Sequence, residues 1–300
     1  MTRRNNLLSW IALGSVYFLW GSTYLGIRVA VETIPPYLMT GVRYMTAGGL
    51  LFALQWFSAK EKPPLPRGRE LAQIVVTALL LLVVGNGLLC VAEEKVEAGT
   101  SALLLATTPI WMLLIDALRT RTPPSKSAIG GVVLGSIGIA ALVGKGPGHA
   151  SLPYAALIML SSIAWAAGSI YVLGKRHGPL TPSLEMFAGG VLCTIVALLA
   201  GENARFDVHA VSAASLWGMV WLITGGAMAG YSAYAYAVRT LPTATVATYS
   251  YVNPVVAVVL AALILREPVT WNLLAGGAAV VGSVVLILLG NRREAEELAA

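Results

Sequence analysis

Apolar residues gather in ten long runs, near 7–31, 36–57, 71–92, 98–118, 126–143, 153–175, 182–200, 212–238, 243–264 and 270–290. Each approaches the roughly 20 residues that carry an α-helix across the hydrocarbon core of a bilayer. The strong breakers agree, since Pro35-Pro36, Pro63-Pro64-Leu65-Pro66, Pro123-Pro124, Pro147, Pro179 and Pro268 all fall between runs. The connections span only 4 to 13 residues and leave no room for a soluble domain. The pattern predicts an all-α membrane protein of ten transmembrane helices.

The runs repeat. Trp20 and Trp165 lie 145 positions apart, and so do Gly85 and Gly230, Thr100 and Thr245, Pro109 and Pro254, Pro123 and Pro268, and Gly131 and Gly276. The second half therefore reads as a diverged copy of the first, with units at 1–148 and 149–300. Each unit holds five runs, an odd number, so the copy enters the membrane upside down. Two inverted five-helix repeats are an architecture of alternating-access transporters, whose substrate sites lie near the midplane between the halves.

Charge orients the spans. With the N-terminus cytoplasmic, the cytoplasmic segments carry fourteen basic residues: Arg3, Arg4, Lys60, Lys62, Arg67, Arg69, Arg119, Arg121, Lys126, Lys175, Arg176, Arg239, Arg292 and Arg293. The opposite loops carry Lys95, Lys145, Arg205 and Arg266, and only Arg28 and Arg43 fall within spans. This asymmetry follows the positive-inside rule and puts both termini in the cytoplasm. Arg3 and Arg4 precede an apolar run too long for a signal peptide, so the first run is read as a retained helix.

Composition changes the picture little. Hydrophobic residues make up 57% and charged residues 11%, against about 25% charged in soluble domains. The pI of 9.4 comes from short loops rather than a basic patch interleaved with aromatics, which excludes nucleic acid as a partner. Cys90 and Cys193 sit in or near spans without metal-ligand spacing, so neither a disulfide framework, a metal site nor a cofactor is expected. His149, His177 and His209 fall in loops, and no H-E-x-x-H, G-x-S-x-G or P-loop occurs; the chain does not read as an enzyme.

The candidate chemistry lies inside the spans. Trp20 and Trp165 fall near mid-depth, away from the interfacial belt that tryptophan prefers; they either pack in the bundle or line a cavity. Pro109 and Pro254 lie about eleven residues into their runs and would free backbone carbonyls there, as static bends or as a hinge for each gate. Polar and aromatic residues recur at helical spacing: Tyr17, Trp20, Tyr24 and Arg28; Thr100, Thr108 and Trp111; Ser162, Trp165 and Ser169; Thr245, Tyr249 and Asn253. Asn86 is matched through the repeat by Tyr231. Any one of these can be interhelical glue. Together they mark spans 1, 3, 4, 6, 8 and 9, and a cavity among them gives the candidate substrate-binding set Trp20, Tyr24, Asn86, Thr108, Trp111, Trp165, Ser169, Tyr231, Tyr249 and Asn253. Spans 5 and 10 are instead glycine-rich, suited to close packing within a monomer, with a dimer face as the alternative. Arg43 is an intramembrane cation that pairs locally, snorkels, or contacts a substrate head group. No carboxylate falls near mid-depth; Glu93 counts as an outside loop residue, and a proton-coupling acid of that kind is not expected.

Several of these stretches resemble the drug/metabolite transporter superfamily, in its ten-span EamA-type exporters. They are Trp20-Gly21-Ser22-Thr23-Tyr24, Pro35-Pro36 followed by Arg43, Thr100 with Thr108-Pro109, and Asn253-Pro254 leading to Arg266-Glu267-Pro268. The likeness covers nearly the whole chain and is nearest to the YddG-type bacterial amino-acid and metabolite exporters. It implies a multi-pass protein of the bacterial inner membrane that exports small metabolites, amino acids first among them. Exporting cationic drugs is the alternative, and a non-transporting scaffold or receptor the remote one. One departure stands out: the family's acid after each repeat hairpin is present as Glu267 but replaced by Thr122 in the first half.

Overall fold

In the computed structural model the described residues are 3–173, 175 and 178–299, without the side chains of 3–6, 243, 244 and 288–299. Arg176 and His177, and the side chains of Arg3, Arg4, Arg292 and Arg293, lie outside them. The first half comprises α1 (Arg3–Gly21), α2 (Thr23–Ala30), α3 (Pro36–Ser58), α4 (Arg69–Ala78), a π-helical stretch Leu79–Asn86, α5 (Gly87–Glu93), α6 (Ala98–Leu105), α7 (Thr108–Thr120) and α8 (Lys126–Leu142). The second comprises α9 (Leu152–Val172), α10 (Thr181–Leu199), the short α11 (Glu202–Arg205), α12 (Ala213–Trp221), a π-helical stretch Leu222–Ala229, α13 (Gly230–Thr240), α14 (Thr243–Val246), α15 (Tyr249–Leu260), a third π stretch Ala261–Leu265 and α16 (Trp271–Ala299). Among the described residues five helices are long and apolar enough to cross a membrane, against the ten runs expected from the sequence: Arg69–Glu93, Ala98–Thr120, Leu152–Val172, Thr181–Leu199 and Ala213–Thr240. Three shorter apolar helices join them.

The packing is reciprocal between halves. α3 lies on α10 and α8 on α16, each helix against its own repeat partner. α1 packs on α13 and α15, while α9, its counterpart, packs on the π stretch after α4 and on α7. The α8–α16 pair is close because both helices lack side chains where they cross: a Cβ on Gly138 would stand 2.8 Å from the Gly276 carbonyl oxygen, and one on Gly276 would stand 3.1 Å from that of Gly138. Local geometry repeats as well. Arg121 and Arg266, 145 apart, both end their helices in the left-handed region, at φ 57° and 56°.

Three helices that the sequence reads as continuous are broken. The interruptions are at Ser22, at Ala106–Thr107 and at Ala247–Thr248. At each, hydroxyls bond the carbonyl three residues back and so replace the missing ladder bonds. Ser22 Oγ donates to Leu19 O at 2.9 Å, Thr107 Oγ1 to Leu104 O at 2.7 Å and Thr248 Oγ1 to Thr245 O at 2.5 Å.

Candidate functional site

The two tryptophans cross between the halves and land on each other's glycines. Trp20 of α1 lies against Gly230, where an added Cβ would come 2.6 Å from its Nε1; Trp165 of α9 lies against Gly85, at 3.1 Å from its Cε3. All four residues keep the 145-residue offset, so the same contact is made twice, once in each direction. It needs glycine because a ring and a helix backbone occupy the same space.

Around Trp20 the contact grows into an aromatic cluster. Its ring centroid is 5.1 Å from that of Tyr234 and 5.2 Å from that of Tyr249, the second pair edge-on, and Tyr234 and Tyr249 are edge-on at 5.9 Å. Trp20 Nε1 donates to Gly226 O at 3.2 Å, in the π stretch before α13. Tyr17 and Thr248 share a hydroxyl–hydroxyl bond beside it. Asn253 is buried, and with its amide turned to donate, Nδ2 reaches Tyr17 O and Tyr249 O, each at 3.3 Å. Arg43 approaches the same Gly226, its Nη2 3.5 Å from where a Cβ would be. The guanidinium is 4% exposed, and its Nε and Nη1 have no hydrogen-bond partner. Arg43 and Trp20 thus both reach Gly226, Trp20 through its indole N–H and Arg43 with a guanidinium that keeps unpaired donors.

The remaining residues of the candidate set form separate groups. Thr108 Oγ1 bonds Ser162 Oγ at 2.9 Å and Leu105 O at 2.7 Å, the carbonyl whose i+4 donor is removed by Pro109. Asn86 is buried and accepts from Cys90 Sγ at 3.5 Å. Ser169 bonds its own helix at Trp165 O, and Trp111 Nε1 is buried without a partner. Tyr24 is half-buried and packs against the apolar clusters near Leu25 and Leu104. Tyr231 lines a cavity of about 450 Å³ with Leu51, Gln55, Ser58, Pro179, Ser232 and Arg239, at the end holding the α3–α4 loop. A groove of about 610 Å³ beneath the α7–α8 turn is lined mainly by Leu114, Leu118, Pro123 and Pro124 and offers few polar groups.

The repeat-matched prolines are not matched in structure. Pro109 is the second residue of α7, just after the break, where a proline costs little because its missing amide falls at a helix start and Thr108 Oγ1 bonds Leu105 O in its place. Pro254 lies inside α15, six residues past the Thr248 break. Pro254→Ala should accordingly slow transport by about tenfold or more, within the roughly 3 kcal/mol by which a mid-helix proline alters its helix. Pro109→Ala should change it less than threefold; equal losses in vesicle transport rates would contradict this.

At the opposite end of the bundle two carboxylates from the second half hold helix starts of the first. Glu202 of α11, 3% exposed, accepts from the Leu38 amide at 2.8 Å and the Tyr37 amide at 3.3 Å, behind Pro36 at the start of α3. Glu267 accepts from the Ala98 and Gly99 amides at 2.8 and 3.0 Å, at the start of α6. These amides are among those a helix start leaves unpaired, and the helix dipole adds to the attraction. Glu97 beside them accepts from the Gly148 amide at 2.9 Å. Burial pushes its carboxyl above the usual range while that amide pulls it back. Thr122, at Glu267's repeat position, bonds Thr120 in its own turn and no helix start among the described residues. Glu93, read from sequence as an outside loop residue, is instead the last residue of α5 and fully buried, because α5 continues one residue further and α2, α3, α6 and α9 enclose it.

The EamA-like transporter family model matches residues 8–144 and 152–289, one match per half. This chain belongs to the EamA-like transporter family. It is 36% identical over 292 residues to the uncharacterized inner membrane transporter YedA of Escherichia coli K12, covering 93% of this chain and 90% of that protein. It is 25% identical over 293 residues to the uncharacterized transporter YvbV of Bacillus subtilis, covering 97% and 94%. It is also 22% identical over 309 residues to a Salmonella typhimurium protein named as a probable amino-acid metabolite efflux pump, covering 97% of each. A solved structure at 15% identity shares the fold, with a TM-score of 0.64 over 95% of this chain and 98% of that one. The EamA transporter of this sequence is a multi-pass protein of the bacterial inner membrane. Sequence reasoning missed Tyr234, Thr248, Glu202 and the burial of Glu93. Tyr234 was legible as the i+3 neighbour of Tyr231; the carboxylates gave no local signal.

Proposed function

We propose that this transporter exports small amphipathic metabolites, amino acids with apolar or aromatic side chains among them, by alternating access across ten spans with both termini cytoplasmic. The observation that supports the substrate class is the meeting of Arg43 and Trp20, the latter part of the Trp20–Tyr234–Tyr249 cluster, at Gly226. A guanidinium with free donors suits a carboxylate, and an aromatic box suits an apolar side chain. The efflux-pump name of the distant Salmonella relative points the same way. Export of cationic drugs is the weaker reading, since a buried arginine repels a cation. Purified protein in liposomes loaded with a panel of amino acids tests the substrate: efflux of phenylalanine or leucine well above empty vesicles is expected, and none for any amino acid would refute it.

The topology has its own test. Lys60 and Lys95 are both exposed, at opposite ends of the bundle. Cysteines placed there singly, with Cys90 and Cys193 buried, should differ to an impermeant maleimide applied outside whole cells. Lys95→Cys should label and Lys60→Cys should not; the reverse pattern would invert the protein.

A further inference from the structure

Glu93 is an acid without a counterpart. It is 0% exposed, neither carboxyl oxygen has a hydrogen-bond partner, and no ion pair reaches it among the described residues. An ionised carboxylate left so would carry a large desolvation cost, so the neutral acid is the form this conformation holds. Its electrostatic neighbours are Glu267 before α16, Arg28 and Tyr24 on α2, Arg43 on α3 and Cys90 on α5 itself. Helix α6 carries no titratable side chain, and α9 carries only Tyr154 and Tyr171, near its two ends. The neighbour that matters most is Glu267, because its carboxylate holds the Ala98 and Gly99 amides, five and six residues beyond Glu93 along the chain.

We propose that Glu93 is a proton-binding site that controls the clasp between Glu267 and the start of α6. While the proton is on Glu93, the interior charge near Glu267 stays low and the clasp holds. Loss of the proton places a second negative charge beside Glu267 and leaves an ionised group that demands water or a cation. Both demands are met by opening this end. Resting on the amino-acid reading above, the substrate's ammonium group is the cation that takes the proton's place, while Arg43 receives the carboxylate. One proton then moves against each substrate. A proton taken up from the outside face closes the clasp after the substrate has left.

The sign follows from proton counts. The open form binds one proton fewer, so opening gains with rising pH, by up to about tenfold per pH unit for one linked proton. Amide hydrogen exchange of residues 93–105 in substrate-free protein, corrected for the intrinsic pH dependence of exchange, should therefore rise between pH 6 and pH 8. Glu93→Gln should abolish that rise and Glu93→Asp should restore it. In liposomes with an imposed pH difference, wild type should concentrate phenylalanine, while Glu93→Gln should only equilibrate it. The exchange measurement needs no substrate, so if no amino acid is transported the substrate reading fails and the proton site is still decided. A Glu93→Gln protein with wild-type pH dependence of exchange would overturn the proposal. So would loss of the rise in Glu93→Asp, since a carboxylate would then not be what matters.

Discussion

Trp20→Ala should lower transport, as rate over half-saturation concentration, by at least about tenfold. The ring makes two aromatic contacts, with Tyr234 and Tyr249, each worth about 0.5–1.5 kcal/mol beyond the area it buries, and the Nε1 bond to Gly226 goes with it. Together these exceed the 1.4 kcal/mol that corresponds to tenfold. Trp20→Phe keeps a ring but loses the bond and should fall between. Trp165→Ala should cost less, because no aromatic partner surrounds Trp165 among the described ring pairs and its contact with Gly85 is looser. Measured initial efflux rates at several substrate concentrations separate the cases. A Trp165→Ala loss as large as that of Trp20→Ala would mean that the two halves contribute equally and that the tyrosine cluster is only packing.

Removing the two clasps should loosen one end of the molecule and leave the other as it was. Glu202 and Glu267 each take two backbone amides, and hydrogen bonds to a charged group are worth about 1.5–3 kcal/mol net. Glu202→Ala or Glu267→Ala should thus raise the opening of that end by about ten- to a hundredfold. The pair should act nearly additively, since they hold different helices. Val96, 1% exposed between α5 and α6, is a suitable reporter: Val96→Cys should react slowly with an external maleimide in the parent and far faster when either clasp is removed. Unchanged labelling in the double variant would assign the carboxylates to static helix capping.

The fold was readable because its signals are local or periodic. Ten apolar runs, their breakers and the 145-residue offset are present in the chain before any contact is made. The Trp20–Gly230 and Trp165–Gly85 contacts even join residues that the offset had already marked, though nothing in the sequence says they touch. The helix breaks were not read from the sequence, which pointed only to the prolines as bends or hinges. Pro109 does remove a ladder donor, but serine and threonine hydroxyls at 22, 107 and 248 set where each helix parts, and such residues are too common in membrane helices to stand out. Tyr234, Arg43 and Gly226 meet only because spans from different halves interleave. Glu93 was misread for a similar reason: a residue one step past an apolar run looks solvated until the helices around it are in place.

In the inverted topology proposed above, a duplicated chain presents nearly the same scaffold to both faces of the membrane, and such a scaffold alone has no reason to prefer one orientation. Here the positions that would repeat Glu202 and Glu267 are Phe57 and Thr122, so the two acid clasps at one end of the bundle have no repeat-matched carboxylates at the other. In the alternating-access reading, this difference between the copies would act as a rectifier and give the empty carrier a resting side, with its cavity at the end where Arg239 and Tyr231 stand.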